Sequence, residues 1–116
     1  MFFKLQEMKG TRREHIQNGH GGAMFYSCMA PEEKPAGSRL KMVARIELDP
    51  GASVGEHEHK GDEEVYIVLS GRGDFTDDEK SHEVGPGDIM VTLNGHRHSL
   101  MNTGTKPLVF VAVIAE

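Results

Sequence analysis

A set of histidines and one glutamate, spaced as on β-strands and flanked by glycines, limits this chain more than any other feature. His57 and His59 are separated by one residue, so in an extended strand both imidazoles project from the same face. Glu64 follows closely, and His98 lies in a second glycine-flanked segment downstream. Imidazole nitrogens and a carboxylate oxygen that face the same point are ligands that divalent transition metals bind. The pattern therefore predicts a metal site.

The order and spacing of these residues resemble the two motifs of the cupin superfamily. The first motif is matched without a gap by Gly51, His57, His59, Glu64 and Gly71, and the second by Gly87, Gly95, His98 and Asn102. One position departs, because Leu93 stands where the family usually has proline. That position shapes a turn and does not bind metal, so the departure leaves the ligand set intact.

The resemblance implies an all-β fold: a cupin-type jelly-roll β-barrel in a single domain, with a divalent metal inside. The implied ligands are His57, His59, Glu64 and His98. Four ligands leave a six-coordinate ion with two open positions, which is typical of a Lewis-acid or oxygen-binding centre rather than a closed structural site. Mixed nitrogen and oxygen donors do not select one metal. The resemblance favours Mn or Fe, and Zn, Ni, Co and Cu are also compatible.

The hydrophobic pattern agrees with an all-β fold. Residues 40–48 alternate between apolar and polar side chains, which predicts a half-buried strand. Residues 64–69 and 108–114 are apolar on both faces and predict buried strands, while residues 77–80 predict a solvated hairpin turn. No segment shows helical periodicity. Many short strands with frequent turns favour a barrel or sandwich.

The chain has 116 residues, which suits one domain. We expect residues 1–22 to form a polar N-terminal lead that contributes an edge strand, and residues 23–116 to form the cupin barrel. Residues 30–39 contain two prolines and predict a loop or connector.

The charge pattern argues against some partners. The net charge is −5, and no block of Lys and Arg stands out, so we expect neither nucleic acid nor a membrane as a partner. No stretch is apolar enough to span a bilayer, and the N-terminal residues do not resemble a signal peptide. Cys28 is the single cysteine, so the chain can form no internal disulfide. These features predict a cytoplasmic protein.

The remaining polar residues have plainer interpretations. We expect surface positions for His15, His20, His82 and His96, and outward positions for Lys41 and Arg45. Glu58 should point away from the histidines, and Asn102 should have a structural role. Tyr66, Met42, Met90 and Phe110 are candidates to line the cavity. No general acid or base is evident, so the catalytic residues are unknown.

Two alternatives to a metal site remain, namely ordinary surface histidines and a cupin barrel that has lost its metal.

Two functions from different classes fit these residues. The first is a metalloenzyme that acts on a small carboxylate or oxygenated substrate, of the dioxygenase, oxalate decarboxylase-like or isomerase type. The alternative is a non-catalytic protein that binds or senses a small molecule through its metal. In either case we expect a homodimer, paired through residues 23–29 or 108–114, because those apolar strands would otherwise be exposed at an edge or surface.

Overall fold

The computed structural model describes residues 1–29 and 33–116, and its regular structure is almost entirely β-strand. The strands of these two ranges are β1 (Thr11–Glu14), β2 (Gly22–Cys28), β3 (Leu40–Leu48), β4 (Ser53–Glu58), β5 (Glu63–Ser70), β6 (Gly73–Asp77), β7 (Lys80–Val84), β8 (Ile89–Thr92), β9 (Arg97–Asn102) and β10 (Leu108–Ala115). Two short 3₁₀ turns, Leu5–Glu7 and Ile16–Asn18, are the helical elements described. Within the described ranges, no helix has the length and apolar character needed to cross a membrane.

The strands form two sheets. The larger sheet has the order β1-β2-β3-β10-β5-β8, and the smaller has the order β4-β9-β6-β7. Every neighbouring pair is antiparallel. Consecutive strands such as β3, β4 and β5 alternate between the sheets, so the chain winds as a jelly roll. The all-β, jelly-roll prediction is confirmed.

A single hydrophobic core lies between the two sheets. Its buried members come from both sheets and include Phe25, Ala44, Ile46, Leu48, Val54, Tyr66, Val68, Phe75, Leu100, Leu108, Phe110 and Ala112. Because successive side chains of a strand point to opposite faces, alternate residues of strands such as β3 and β5 contribute to this core. The same alternation decides which polar side chains point into the barrel.

The strands predicted from hydrophobic pattern are present. The alternating segment is β3 with the predicted bounds, and Ala44, Ile46 and Leu48 on its inner face are buried. The two segments that are apolar on both faces lie in β5 and β10. The predicted hairpin joins β6 to β7.

The N-terminal lead packs directly against the barrel. Its strand β1 pairs along its whole length with β2 and forms one edge of the larger sheet. The 3₁₀ turn that follows approaches β4 so closely that a Cβ atom built on Gly55 would lie 2.0 Å from the carbonyl oxygen of Gln17. A division of the chain at residue 22 stays a prediction. Of the predicted connector, residues 30–32 lie outside the described residues, and a turn is present at residues 36–37.

The reasoning that led to a dimer through strand edges is wrong. Strand β2 lies between β1 and β3, and β10 lies between β3 and β5, so both strands are interior. The edges of the larger sheet are instead β1 and β8. The periodicity of a strand reveals which residues share a face but not which strands become neighbours, and for that reason the sequence did not indicate that β8 forms an edge and that β2 and β10 do not.

Candidate metal centre

Four side chains from three strands and one loop converge inside the barrel. The Nε2 atom of His98 lies 3.1 Å from Nε2 of His57, 3.0 Å from Nε2 of His59 and 3.2 Å from Oε1 of Glu64. Oε1 of Glu64 is also 3.1 Å from Nε2 of His59. All four donor atoms lie within 4.8 Å of one another. The structure thus brings together the four residues that the sequence motifs indicated.

The jelly roll explains this convergence. His57 on β4 and His98 on β9 are directly paired residues of the smaller sheet. The pairing is irregular between Val54 and His57, where a bulge lets the strand bend before it reaches the site. Glu64 is on β5 of the opposite sheet, and His59 lies just beyond the end of β4. The cluster therefore joins the two sheets across the barrel interior.

Each imidazole is oriented by a contact to its other ring nitrogen. Nδ1 of His57 is 2.8 Å from the carbonyl oxygen of Gly55, and Nδ1 of His59 is 2.7 Å from Oδ1 of Asp62. Nδ1 of His98 is 2.7 Å from the hydroxyl of Thr92. A ring whose Nδ1–H donates to oxygen carries its lone pair on Nε2. The three Nε2 atoms that face one another are thus available as ligands.

Burial makes a partner for this cluster necessary. His98 is 1% exposed, Glu64 4% and His59 5%. A carboxylate without water is costly unless charge or hydrogen bonds offset the loss of hydration. Burial also lowers the pKa of His57 below its ordinary value, which favours the neutral, metal-binding form of the ring.

The donor set fits a divalent transition metal. Ligand atoms about 2.1 Å from a common ion, placed at right angles, lie about 3.0 Å from each other. The four closest separations between donors in this cluster are 3.0 to 3.2 Å. Three neutral imidazoles and one carboxylate also reduce a charge of +2 to +1. Spacing, tautomers and charge all agree with one ion at this point.

Tyr66 supports the cluster from the core. Its ring stacks on the imidazole of His98 with centroids 5.1 Å apart and an angle of 21° between the planes. Burial, together with the negative charge of Glu64, raises the pKa of Tyr66 well above its ordinary value. The phenol therefore stays protonated.

A cavity of about 330 Å³ opens beside the cluster. Among the described residues its wall includes His57, His59, Glu64, Tyr66, Arg13, Phe25, Met42, Ile46, Val54, Glu58, Lys60, Asp62 and Ile114. This volume is at the lower end of the range for small-molecule sites, which suits a ligand of few atoms. The wall combines apolar side chains such as Phe25 and Met42 with charged ones such as Arg13 and Lys60.

The predictions about neighbouring residues have mixed outcomes. Tyr66 and Met42 line the cavity as expected, whereas Phe110 packs against Tyr66 in the core and Met90 lines a separate surface depression. Glu58 was expected to point away from the histidines, but it is half-buried and lines the same cavity. The four histidines expected at the surface, His15, His20, His82 and His96, are exposed.

Sequence reasoning missed the residues that orient the ligands. Asp62 and Thr92 lie within the two motif segments, but at positions that the motifs leave open, and the folded barrel brings them to the two imidazoles. Lys41 is exposed as expected, yet its Nζ donates to Oδ2 of Asp62 at 2.8 Å. Asp62 in turn contacts His59, so Lys41 is linked to this ligand through Asp62. The sequence offered one indication of these orienting residues, namely that the polar Thr92 ends an otherwise apolar strand.

Comparisons with known proteins agree with the geometry. The sequence pattern of the family described as a cupin domain matches residues 44–114. A protein named oxalate-binding protein from Thermotoga maritima is 36% identical over 114 residues, which cover 98% of this chain and 93% of that protein.

Solved structures give the same result. The crystal structure of a predicted oxalate decarboxylase from Thermotoga maritima superposes with a TM-score of 0.91 at 34% identity, covering 99% of this chain and 98% of the other. The cupin domain of Cnp3 from Schizosaccharomyces pombe superposes with a TM-score of 0.75 at 15% identity, over 98% of this chain and 72% of that one. The second likeness shows the fold alone.

Proposed function

This chain belongs to the cupin family, and we propose that it uses His57, His59, Glu64 and His98 to hold one divalent transition metal that binds a small carboxylate. The observation that carries the proposal is the convergence of three Nε2 atoms and one carboxylate oxygen beside a cavity. A metal bound there would supply a Lewis acid with open positions for a ligand. Mn or Fe is our expectation, since the donor set itself admits several metals.

The carboxylate class is supported by the cavity and by the relatives. Two adjacent open positions on a metal suit a chelating ligand, and the small cavity restricts its size. The relatives from Thermotoga maritima carry names that refer to oxalate. We therefore propose that oxalate, or a dicarboxylate of similar size, is the ligand of this chain.

Residues of this chain keep the site ready for such a ligand. The contacts of Gly55, Asp62 and Thr92 to the three Nδ1 atoms hold the imidazoles in one tautomer and one direction. The buried Tyr66 packs on the imidazole of His98 from the core side. The open side of the cluster then faces the cavity.

Calorimetric titration of the metal-loaded protein with oxalate tests this proposal. We expect saturable binding that disappears after chelation of the metal and returns on reconstitution with Mn²⁺. Absence of oxalate binding by protein that demonstrably contains one metal ion would refute the carboxylate assignment.

Catalysis requires a group that can move a proton, and Glu58 is the strongest candidate in the described cavity wall. Asp62 and Glu64 are engaged with the imidazoles. Glu58 makes no side-chain hydrogen bond to a described residue, and its nearest cations are Arg97 Nη1 at 3.8 Å and Lys60 Nζ at 4.0 Å. A carboxylate so placed can accept or donate a proton at the cavity.

The alternative is a non-catalytic protein that binds its ligand through the metal. The name oxalate-binding protein of the relative favours this class. Incubation of the metal-loaded protein with oxalate, followed by assays for formate, carbon dioxide and peroxide, separates the classes. Turnover that is lost in Glu58→Gln while oxalate still binds supports an enzyme, and binding without any product supports the alternative.

We also propose a homodimer, formed by the outer face of the larger sheet near β8 rather than by β2 or β10 as edges. On this edge strand Ile89 is 64% exposed and Val91 is 52% exposed, and Leu93, the residue after the strand, is also 52% exposed. Val91 pairs with Val65, which pairs with Val113, so the apolar surface continues across the sheet. Sedimentation showing only monomer at micromolar concentration would refute this proposal, and Val91→Lys is expected to convert dimer to monomer.

A further inference from the structure

The edge strand β1 presents its two arginines to different surroundings. Arg12 forms ion pairs with Glu14 on the same strand and with Asp49 at the turn after β3. Arg13 is on the opposite face, and it lines the cavity that contains the metal-ligand cluster. The lead that precedes the cupin motifs therefore contributes a cation to the same cavity.

An aromatic ring holds the Arg13 guanidinium in place. Its Cζ atom lies 4.4 Å from the centroid of the Phe25 ring, within the range of a cation–π contact. Phe25 is 4% exposed and belongs to the core, so it is a rigid support. A guanidinium held over a ring can still donate through the N–H groups that do not face the ring.

Arg13 is a cation in the cavity wall without an anionic partner. Among residues 1–29 and 33–116, its guanidinium makes no hydrogen bond or ion pair with a side chain. The wall carboxylates lie near other cationic or imidazole groups: Asp62 contacts Lys41 and His59, and Glu58 lies near Lys60 and Arg97. The charge of Arg13 is thus left for a group that enters from solvent.

We propose that Arg13 is the second anchor of the ligand, so that the cavity selects a small dianion that chelates the metal through one pair of oxygens and turns its remaining oxygens to this guanidinium. The proposal rests on the proposed function, because it assumes a carboxylate bound at the cluster. A guanidinium offers parallel N–H donors that match the two oxygens of a carboxylate. A ligand with a single carboxylate held by the metal would gain little from Arg13.

The test compares a dianion with a monoanion on Mn²⁺-loaded protein. Calorimetric titrations with oxalate and with acetate are run on the wild type, Arg13→Gln and Arg13→Lys. Arg39→Gln is the matched control. Arg39 is exposed and lies outside the cavity wall, so this substitution removes one positive charge without changing the cavity. Mn²⁺ affinity and melting temperature are measured for each variant, so that loss of the metal or of the fold is seen separately.

We expect Arg13→Gln to weaken oxalate binding by about tenfold or more, with Mn²⁺ and acetate affinities within about twofold of wild type. Arg13→Lys should fall between, since it keeps the charge without the paired donors, and Arg39→Gln should match the wild type. Wild-type affinity of Arg13→Gln for oxalate would overturn this inference alone. Failure of the metal-loaded wild type to bind oxalate would overturn the proposed function and this inference with it.

Discussion

His57 and His98 are directly paired residues of the adjacent antiparallel strands β4 and β9, and their Nε2 atoms lie 3.1 Å apart. Directly opposed residues of such strands have their Cβ atoms about 5 Å apart, so two imidazoles on one face necessarily meet. One pairing therefore builds half of the candidate metal centre. Glu64 from the opposite sheet and His59 beyond the end of β4 complete it.

Removal of a ligand should abolish most of the metal affinity. For His59→Ala or His98→Ala we expect metal affinity to fall by more than about 100-fold. Residues that only orient metal ligands already change metal affinity by about 10- to 100-fold, and a ligand itself should matter more. The control is His82→Ala, since His82 is exposed on β7. Metal titrations on variants with confirmed melting transitions measure the effect. Equal losses in all three variants would show that the ligand assignment is wrong.

Removal of an orienting contact should weaken metal binding without abolishing it. Asp62→Ala deletes the carboxylate next to Nδ1 of His59 and should lower metal affinity about 10- to 100-fold. Asp74→Ala is the matched control, because Asp74 lies on β6 outside the described wall of the cavity. Competition with a chelator of known affinity gives the metal dissociation constant of each variant. If the Asp62 variant retained wild-type affinity, the contact would have no role in orienting the ring.

Metal content should fall below about pH 6, because an imidazole must be neutral to bind a metal. The test is elemental analysis after dialysis against metal-free buffers from pH 7.5 to pH 5. Unchanged metal content across this series would contradict the ligand set.

The metal-free fold should lose stability over the same pH range. Burial holds the pKa of His57 below its ordinary value of about 6.5, which the unfolded chain retains. Below about pH 6.5 the unfolded state therefore binds more protons than the folded state, and the free energy of unfolding falls as pH falls. Urea unfolding of the metal-free wild type and of His57→Asn at pH 7.5 and pH 5.5 measures this difference. The variant should show a smaller decrease, and an identical decrease would refute the assignment to His57.

Asn102 should matter for stability and not for metal affinity. Its buried amide donates to the carbonyl oxygens of Leu48 and Lys106 and accepts from the backbone N–H of Gly104. Asn102→Ala should therefore cost roughly 2 kcal/mol of unfolding free energy. Asn94→Ala is the comparison, since exposed Asn94 makes one hydrogen bond and should cost about 0.5 kcal/mol. A large loss of metal affinity in a folded Asn102 variant would show a coupling that the contacts do not explain.

The sequence predicted the strands and their inner faces because these depend on local spacing. A period of two placed Ala44, Ile46 and Leu48 on one face, and the same rule placed Glu64 beside Tyr66 and Val68. The choice of a jelly-roll barrel and the set of four ligands came from the resemblance to the cupin motifs.

The contacts that depend on which strands become neighbours were not predictable in this way. Asp62 reaches His59 through a loop, Thr92 reaches His98 from the other sheet, and Arg13 reaches the cavity from a short edge strand. None of the three has a spacing signal, since long-range packing fixes its position. Strand order also decided that β8, rather than β10, is an edge.

The most direct test of the metal centre is elemental analysis of protein purified without added metal or a histidine tag, beside the His57→Ala/His59→Ala double variant. We predict close to one transition-metal ion per chain in the wild type and none in the variant. Equal metal content in the two proteins, or no metal in the wild type after reconstitution with Mn²⁺ and Fe²⁺, would contradict the account.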